Sequence, residues 1–212
     1  AVARAYRLPS FAELDFEGSA TRGNPDLDPE DALGADLWAE IATEQVHARL
    51  GAFYQRVFDL ILFVPVSAYQ IQAANSNDAR IFGLEGELYF RHRSWNIGLT
   101  GSWLEPRTMD GRTLAYRSRF SGSCYASYRY RRLMAFLRAQ ARSSFYLDRF
   151  ESREEEGRIL LSGGMEARLT RQLNLTLHLT NITDNKEAVD VYQTPLPGFA
   201  WLLSVQWNHG DK

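Results

Sequence analysis

From Leu173 the chain alternates apolar and polar side chains without a break. Leu173, Leu175, Leu177 and Leu179 fall on one side, and Asn174, Thr176, His178 and Thr180 on the other. A second run does the same. Phe199, Trp201, Leu203, Val205 and Trp207 stand against Ala200, Ser204 and Gln206, and Leu202 breaks the rule. Successive side chains of a strand point to opposite faces, so a period of two predicts a strand with one apolar face. Residues 181–185 and Pro197-Gly198 interrupt the pattern and mark a loop. Aromatic residues at both ends of an apolar stripe suit a lipid-facing strand, because indole and phenol rings prefer the membrane interface.

The alternation recurs upstream. It predicts strands near 33–43, from 46 on into the apolar stretch 58–64, and near 81–90, 95–103, 116–130, 133–142 and 159–169. With the two C-terminal runs this makes about nine strands. The β-branched content around Val64-Pro65 favours an extended segment there over a helix. Tight turns near 44, 92, 131 and 171 alternate with long loops near 70, 110, 152 and 190. Membrane barrels share this layout, with short periplasmic turns and long extracellular loops. The expected fold is therefore all-β, an antiparallel transmembrane β-barrel segment. Residues 1–32, broken by Pro9, Gly18, Gly23, Pro25 and Pro29, read as an extracellular loop. Residues 33–207 read as strands and 208–212 as a periplasmic tail. An odd strand count that starts in a loop does not close on itself, so the chain reads as the C-terminal part of a larger barrel.

Composition narrows this picture. The chain has 212 residues and a formal net charge of −2, so no basic excess points to nucleic acid. No stretch approaches the ~18 apolar residues of a membrane helix, which leaves a barrel open because only alternate residues meet lipid. Ten Tyr and five Trp suit interfacial girdles. A single cysteine, Cys124, excludes an intrachain disulfide. The first residues lack the charged and apolar regions of a signal peptide. An outer-membrane protein needs that leader, which again suggests a processed or C-terminal piece.

Four strings carry a family resemblance. They are Arg7-Leu8-Pro9-Ser10; Gly23-Asn24-Pro25-Asp26-Leu27-Asp28-Pro29-Glu30; the run from Asn77 through Ala79-Arg80-Ile81-Phe82-Gly83-Leu84-Glu85; and Thr180-Asn181-Ile182-Thr183-Asp184 followed by Tyr192 and Pro197-Gly198. In this order, before and among alternating strands, they resemble the C-terminal barrel portion of TonB-dependent outer-membrane receptors. The chain departs from that family at Phe199, where arginine is common, and in the residues after Trp207, where the family usually ends on an aromatic. The resemblance implies a larger barrel of about 22 strands. It also implies a location in the bacterial outer membrane with the C-terminus in the periplasm, and uptake of a scarce nutrient such as a ferric siderophore, vitamin B12 or haem. The implied partners are an N-terminal barrel and plug portion, on the same or a separate chain, an inner-membrane TonB energy-coupling complex reached through the plug, and outer-membrane lipid. No cofactor is implied.

Candidate chemistry is sparse. His47, His92, His178 and His209 lack metal-ligand spacing, and Asp28, Glu30, Asp31 and Asp36 read as a solvated acidic loop, so no metal site is expected. No serine, histidine and acid fall in a nucleophile context, so no enzyme is expected. Glu85, Glu87, Arg138, Arg142, Glu166 and Arg168 lie on polar faces and read as a wet lumen of compensating charge. In the resembled family that wall contacts the plug. Substrate contacts are expected on the long loops, at Tyr69, Gln70, Arg107, Arg112, Arg149 and Tyr192. The alternatives are a passive porin-like or structural barrel subunit, a soluble ligand-enclosing barrel and an outer-membrane enzyme. The paired loop strings favour the receptor over the first, and aromatics at both ends of the stripes disfavour the second.

Overall fold

A computed structural model describes residues 1–67, 69–75, 78–148, 150–186, 194–195 and 197–207. In chain order the elements are β1 (Val2–Arg7), α1 (Phe11–Asp15), β2 (Thr21–Arg22), β3 (Glu30–Ala42), β4 (Val46–Phe58), β5 (Ile61–Pro65), β6 (Ile71–Asn75), β7 (Ala79–His92), β8 (Trp95–Thr108), β9 (Phe120–Tyr130), β10 (Leu133–Arg142), β11 (Phe145–Tyr146), β12 (Glu154–Glu155), β13 (Arg158–Arg168), β14 (Leu173–Thr180) and β15 (Ala200–Trp207). Ten of them form one antiparallel sheet in the order β1-β3-β4-β7-β8-β9-β10-β13-β14-β15. The first and last do not pair with each other, so the sheet is open.

The expected count of nine is corrected to ten, because β1 precedes the strand expected at 33–43. Residues 1–32 are thus not all loop: Val2 to Arg7 pair with Ala35 to Glu30. With ten strands, parity says nothing about closure; the unpaired edges β1 and β15 do. β1 escaped notice because Val2, Arg4 and Tyr6 on one side and Ala3, Ala5 and Arg7 on the other give neither face an apolar stripe. Its partners make it a strand. Arg4 binds Asp31 through both Nε and Nη2, the latter at 2.6 Å, and Arg7 binds Glu30 at the same distance. A second correction concerns 58–64. Asp59 takes a φ of 53° and ends β4, so the apolar stretch becomes a separate strand, β5, hairpinned to β6, which in turn pairs with β2.

Register fixes which face each residue takes. Leu37 lies opposite Ala52, Ala52 opposite Leu84, and Leu84 opposite Trp103, so one apolar face runs across the strands. The other face is concave. One depression on it reaches from Trp38 and Arg49 through Glu85, Thr100 and Ser121 to Arg142 and Arg158. Leu37, Leu50 and Trp201 on the convex face are 76%, 63% and 66% exposed. An apolar face of that extent is unfavourable in water and requires an apolar neighbour.

Two devices hold the concave wall. Large aromatics lie flat over glycines on neighbouring strands. The Trp38 ring covers Gly51, and the Phe53 ring covers Gly83, where any Cβ would collide with it. Arg49 stacks its guanidinium 4.0 Å from the Trp38 ring centroid, a cation–π pair. The tight turns are secured locally. Thr43 Oγ1 accepts the Val46 amide at 2.9 Å, and Thr170 Oγ1 accepts the Leu173 amide at 3.0 Å, satisfying donors the turn would otherwise orphan.

Candidate functional site

All long connections emerge at the rim opposite these turns. Three of them build a cleft of about 690 Å³, walled by Leu62, Phe63 and Ile71 of the β5–β6 hairpin, by Leu114 and Tyr116 after β8, and by Leu147 and Phe150 after β10. Asp110, Arg112, Arg117 and Asp148 supply its charge. The walls come from segments far apart in sequence, and two bridges join them. The Thr113 amide donates to Glu151 Oε1 at 2.7 Å, and the Tyr116 amide to the Tyr146 carbonyl at 2.7 Å. Asp148 organises its own loop by accepting the amides of Phe150 at 2.7 Å and Arg153 at 2.8 Å. Burial pushes the Asp148 carboxyl up, but bonds from Ser152, Phe150 and Arg153 outweigh it and hold the group below the usual range. The Thr113 bond does the same for Glu151.

The expected substrate contacts divide. Arg112 lines the cleft, with its guanidinium 5.7 Å from the Phe150 ring. Tyr69, 88% exposed, and Gln70 stand at the turn of the hairpin that walls the cleft. Arg107 faces away, on the convex side, held by Glu105 at 2.6 Å and by the Gly111 carbonyl at 3.0 Å. Arg149 and Tyr192 lie outside the described residues, as do Asn77 and the tail 208–212. The sequence reading missed the apolar walls. The available signal was the stretch 60–63, too apolar for the wet loop it borders.

Three of the four family strings fold into two clasps beneath this rim, and Ala79 to Glu85 of the remaining one lie on β7. Arg7 bridges Glu30 and Glu13, its Nη1 lying 2.9 Å from Glu13 Oε2. Glu13 closes a capping box with Ser10, just after Pro9, at the start of α1. Burial raises the Glu13 carboxyl, and the bonds from Arg7 and Ser10 pull it below its ordinary value. Glu30 Oε1 also accepts the Ile61 amide at 2.8 Å, tying β1 and β3 to β5. Asn24 Oδ1 accepts the Asp26 amide at 3.0 Å and sets the turn that contains Pro25. That turn delivers Leu27 into a small core with Ile61 and Ala73, against which Leu14 packs. Pro29 leads into β3. Asn75, unforeseen, receives the Asp28 amide at 2.9 Å and donates to the Asp59 carbonyl at 2.8 Å.

The second clasp is C-terminal. Asn181, buried and at a φ of 47°, donates to the Pro197 carbonyl at 3.0 Å and accepts the Asn185 amide at 3.0 Å. Asp184 accepts the Phe199 amide at 2.8 Å, which fixes the entry to β15, and Gly198 leaves room for that carboxylate. This bond, followed by one from Lys186, lowers the Asp184 carboxyl. On the concave wall, Glu85 and Glu87 have no ion-pair partner among the described residues.

An open antiparallel sheet with an apolar convex face, a polar concave face, short turns at one rim and clasped loops at the other belongs to the membrane β-barrels. The family model described as TonB dependent receptor-like, beta-barrel matches residues 1–197, and the chain belongs to that family. Solved structures agree on the fold. The copper transporter OprC superposes with a TM-score of 0.80 at 18% identity, over 97% of this chain and 35% of that one. The siderophore receptor PirA from Acinetobacter baumannii gives 0.73 at 16% identity, over 97% and 38%. The ferripyoverdine receptor of Pseudomonas aeruginosa gives 0.71 at 14% identity, over 97% and 30%. The chain thus spans about a third of the length of these structures. Curated protein sequences give no match. Membership of this family implies an outer-membrane location, which accounts for the exposed convex face.

Proposed function

We propose that this chain is the C-terminal barrel portion of an outer-membrane receptor that imports a scarce nutrient, with the clasped loops outside and the short turns in the periplasm. The observation that carries the reading is the cleft between three long loops at one rim of a family-matched barrel. Its aromatic and aliphatic walls with a few fixed charges suit a compact amphiphilic ligand. Similar structures are a copper transporter and siderophore receptors, which supports a metal chelate as cargo. The edges β1 and β15 pair with further strands of the same receptor, since unpaired backbone groups in hydrocarbon cost several kcal/mol each. Glu85 and Glu87 seat cationic groups of a plug portion in the lumen, and the plug reaches the inner-membrane TonB complex. In this layout residues 8–29 are an outward loop and 208–212 a periplasmic tail.

The test is uptake by cells carrying the whole receptor, with Leu114→Asp and Phe150→Asp introduced together. Loss of growth on the limiting nutrient, with normal amounts of receptor in the outer membrane, is the expected result. Unchanged growth would refute the cleft as the ligand site. Uptake that survives collapse of the proton-motive force would point instead to a passive porin-like barrel.

A further inference from the structure

The convex face holds charge where a lipid-facing surface should hold none. Arg56 lies opposite Arg80 across β4 and β7, and Arg80 lies opposite Arg107 across β7 and β8. Three arginines therefore form one row on one face of three adjacent strands. Like charges directly opposite each other destabilise a sheet. Carboxylates relieve this only in part. Arg56 meets Asp78 at 3.0 Å. Glu105 lies 2.6 Å from Arg107 and is shared with Arg119 at 3.5 Å. The Arg80 guanidinium, exposed and central, has no partner among the described residues. Among the described residues these four cations have only two carboxylates in direct ion pairs, and Glu151 adds a further attraction at Arg107 alone.

Depth indicates what completes the balance. Two residues toward the short-turn rim, on the same face, stand Tyr54 and Phe82, opposite each other. Trp103 meets Phe82 edge to face with ring centroids 5.7 Å apart, and Phe120 lies opposite Trp103. Beyond them toward the short turns come Leu50, Leu84 and Leu99. The arginine row therefore sits one pleat outside an aromatic belt, at the level of lipid headgroups, with apolar surface below for acyl chains. Tyr54, Arg80, Phe82, Glu105 and Arg107 line a single shallow groove there.

We infer that this groove docks a phosphate-bearing headgroup of an outer-leaflet lipid, with Arg80 as the principal ligand and Arg56 and Arg107 flanking it. A phosphate offers several charged acceptor oxygens to planar guanidinium forks and removes the repulsion along the row. Its acyl chains lie over the belt and the leucines beneath. The inference rests on the barrel standing with its long loops outward, so the test separates the two.

The whole receptor is purified in mild detergent, and bound lipid is counted by native mass spectrometry. Lipid A, the same lipid with its phosphates removed, and inorganic phosphate are each added. The unsubstituted receptor should retain phosphorylated lipid, and Arg80→Gln should weaken retention on the order of tenfold, since one charge-assisted contact is lost. Arg80→Lys should restore part of it. Equal retention by Arg80→Gln, equal binding of dephosphorylated lipid, or capture of inorganic phosphate as strong as that of lipid would each overturn the inference. Heat-modifiable gel mobility and surface labelling of Tyr69→Cys report separately on the barrel and its orientation. If these fail in the unsubstituted receptor, the underlying reading is at fault. If they hold while lipid selectivity fails, only the lipid site is.

Discussion

The strand wall and the loop rim solve the burial problem in opposite ways. In most proteins the strands carry the core and the loops stay wet. Here the small core of Leu27, Ile61 and Ala73 lies under the loops, while Leu37, Leu50 and Trp201 on the strands are exposed. The reason is the solvent each region meets. The wall faces hydrocarbon, which does the work of a core, so side-chain parity sets most of its stability, with the Trp38 and Phe53 rings over their glycines adding to it on the concave side. The rim faces water and must bury its own apolar residues and satisfy its own backbone, so it relies on Arg7, Glu30, Asn75 and Asn181. One region is stabilised by a repeating pattern, the other by individual side chains.

If the wall works by parity, adjacent residues on one strand must respond very differently. Leu203→Arg should cost about 2–4 kcal/mol in chemical unfolding of the receptor in lipid vesicles, and Ser204→Arg well under half of that. Equal costs would erase the distinction between the faces. If the rim works by single polar side chains, Asn181→Ala should destabilise by about 1–3 kcal/mol, because the Pro197 carbonyl and Asn185 amide lose their partner. Glu30→Gln should cost less, about 1 kcal/mol, since Arg7 is partly exposed and keeps Glu13. It should loosen the β5–β6 hairpin selectively, as read by hydrogen exchange at Ile61.

The smallest expected effect is on pH dependence, and it belongs to the rim. Asp148 and Glu151 are held below their ordinary values when folded. Their stabilising contribution is therefore complete above about pH 5, where the unfolded carboxylates are ionised, and is lost as pH falls through the lowered folded values. A spin label at Phe150→Cys should gain mobility on acidification below about pH 4, while one at Leu84→Cys on the wall stays fixed. Parallel changes at both positions would indicate global unfolding instead.

The sequence alone determined the strand wall. A period of two is local, and each strand from β3 to β15 in the main sheet declares its apolar face through its own residues. The alternation of tight turns and long loops marked the two rims, and the four strings carried the family. What only the tertiary structure decided is whatever depends on a partner distant in the chain. β1 is a strand because Arg4 and Arg7 meet Asp31 and Glu30. The stretch 61–65 folds over the rim because Glu30 takes the Ile61 amide and Asn75 ties down the residues before it. The cleft needs Phe63, Leu114 and Phe150 brought together from three loops. Arg107 read as a loop residue facing ligand, yet register turns it outward beside Arg80. A strand's faces are written in its own sequence, whereas pairing and loop docking are set by cross-strand partners that local periodicity does not encode.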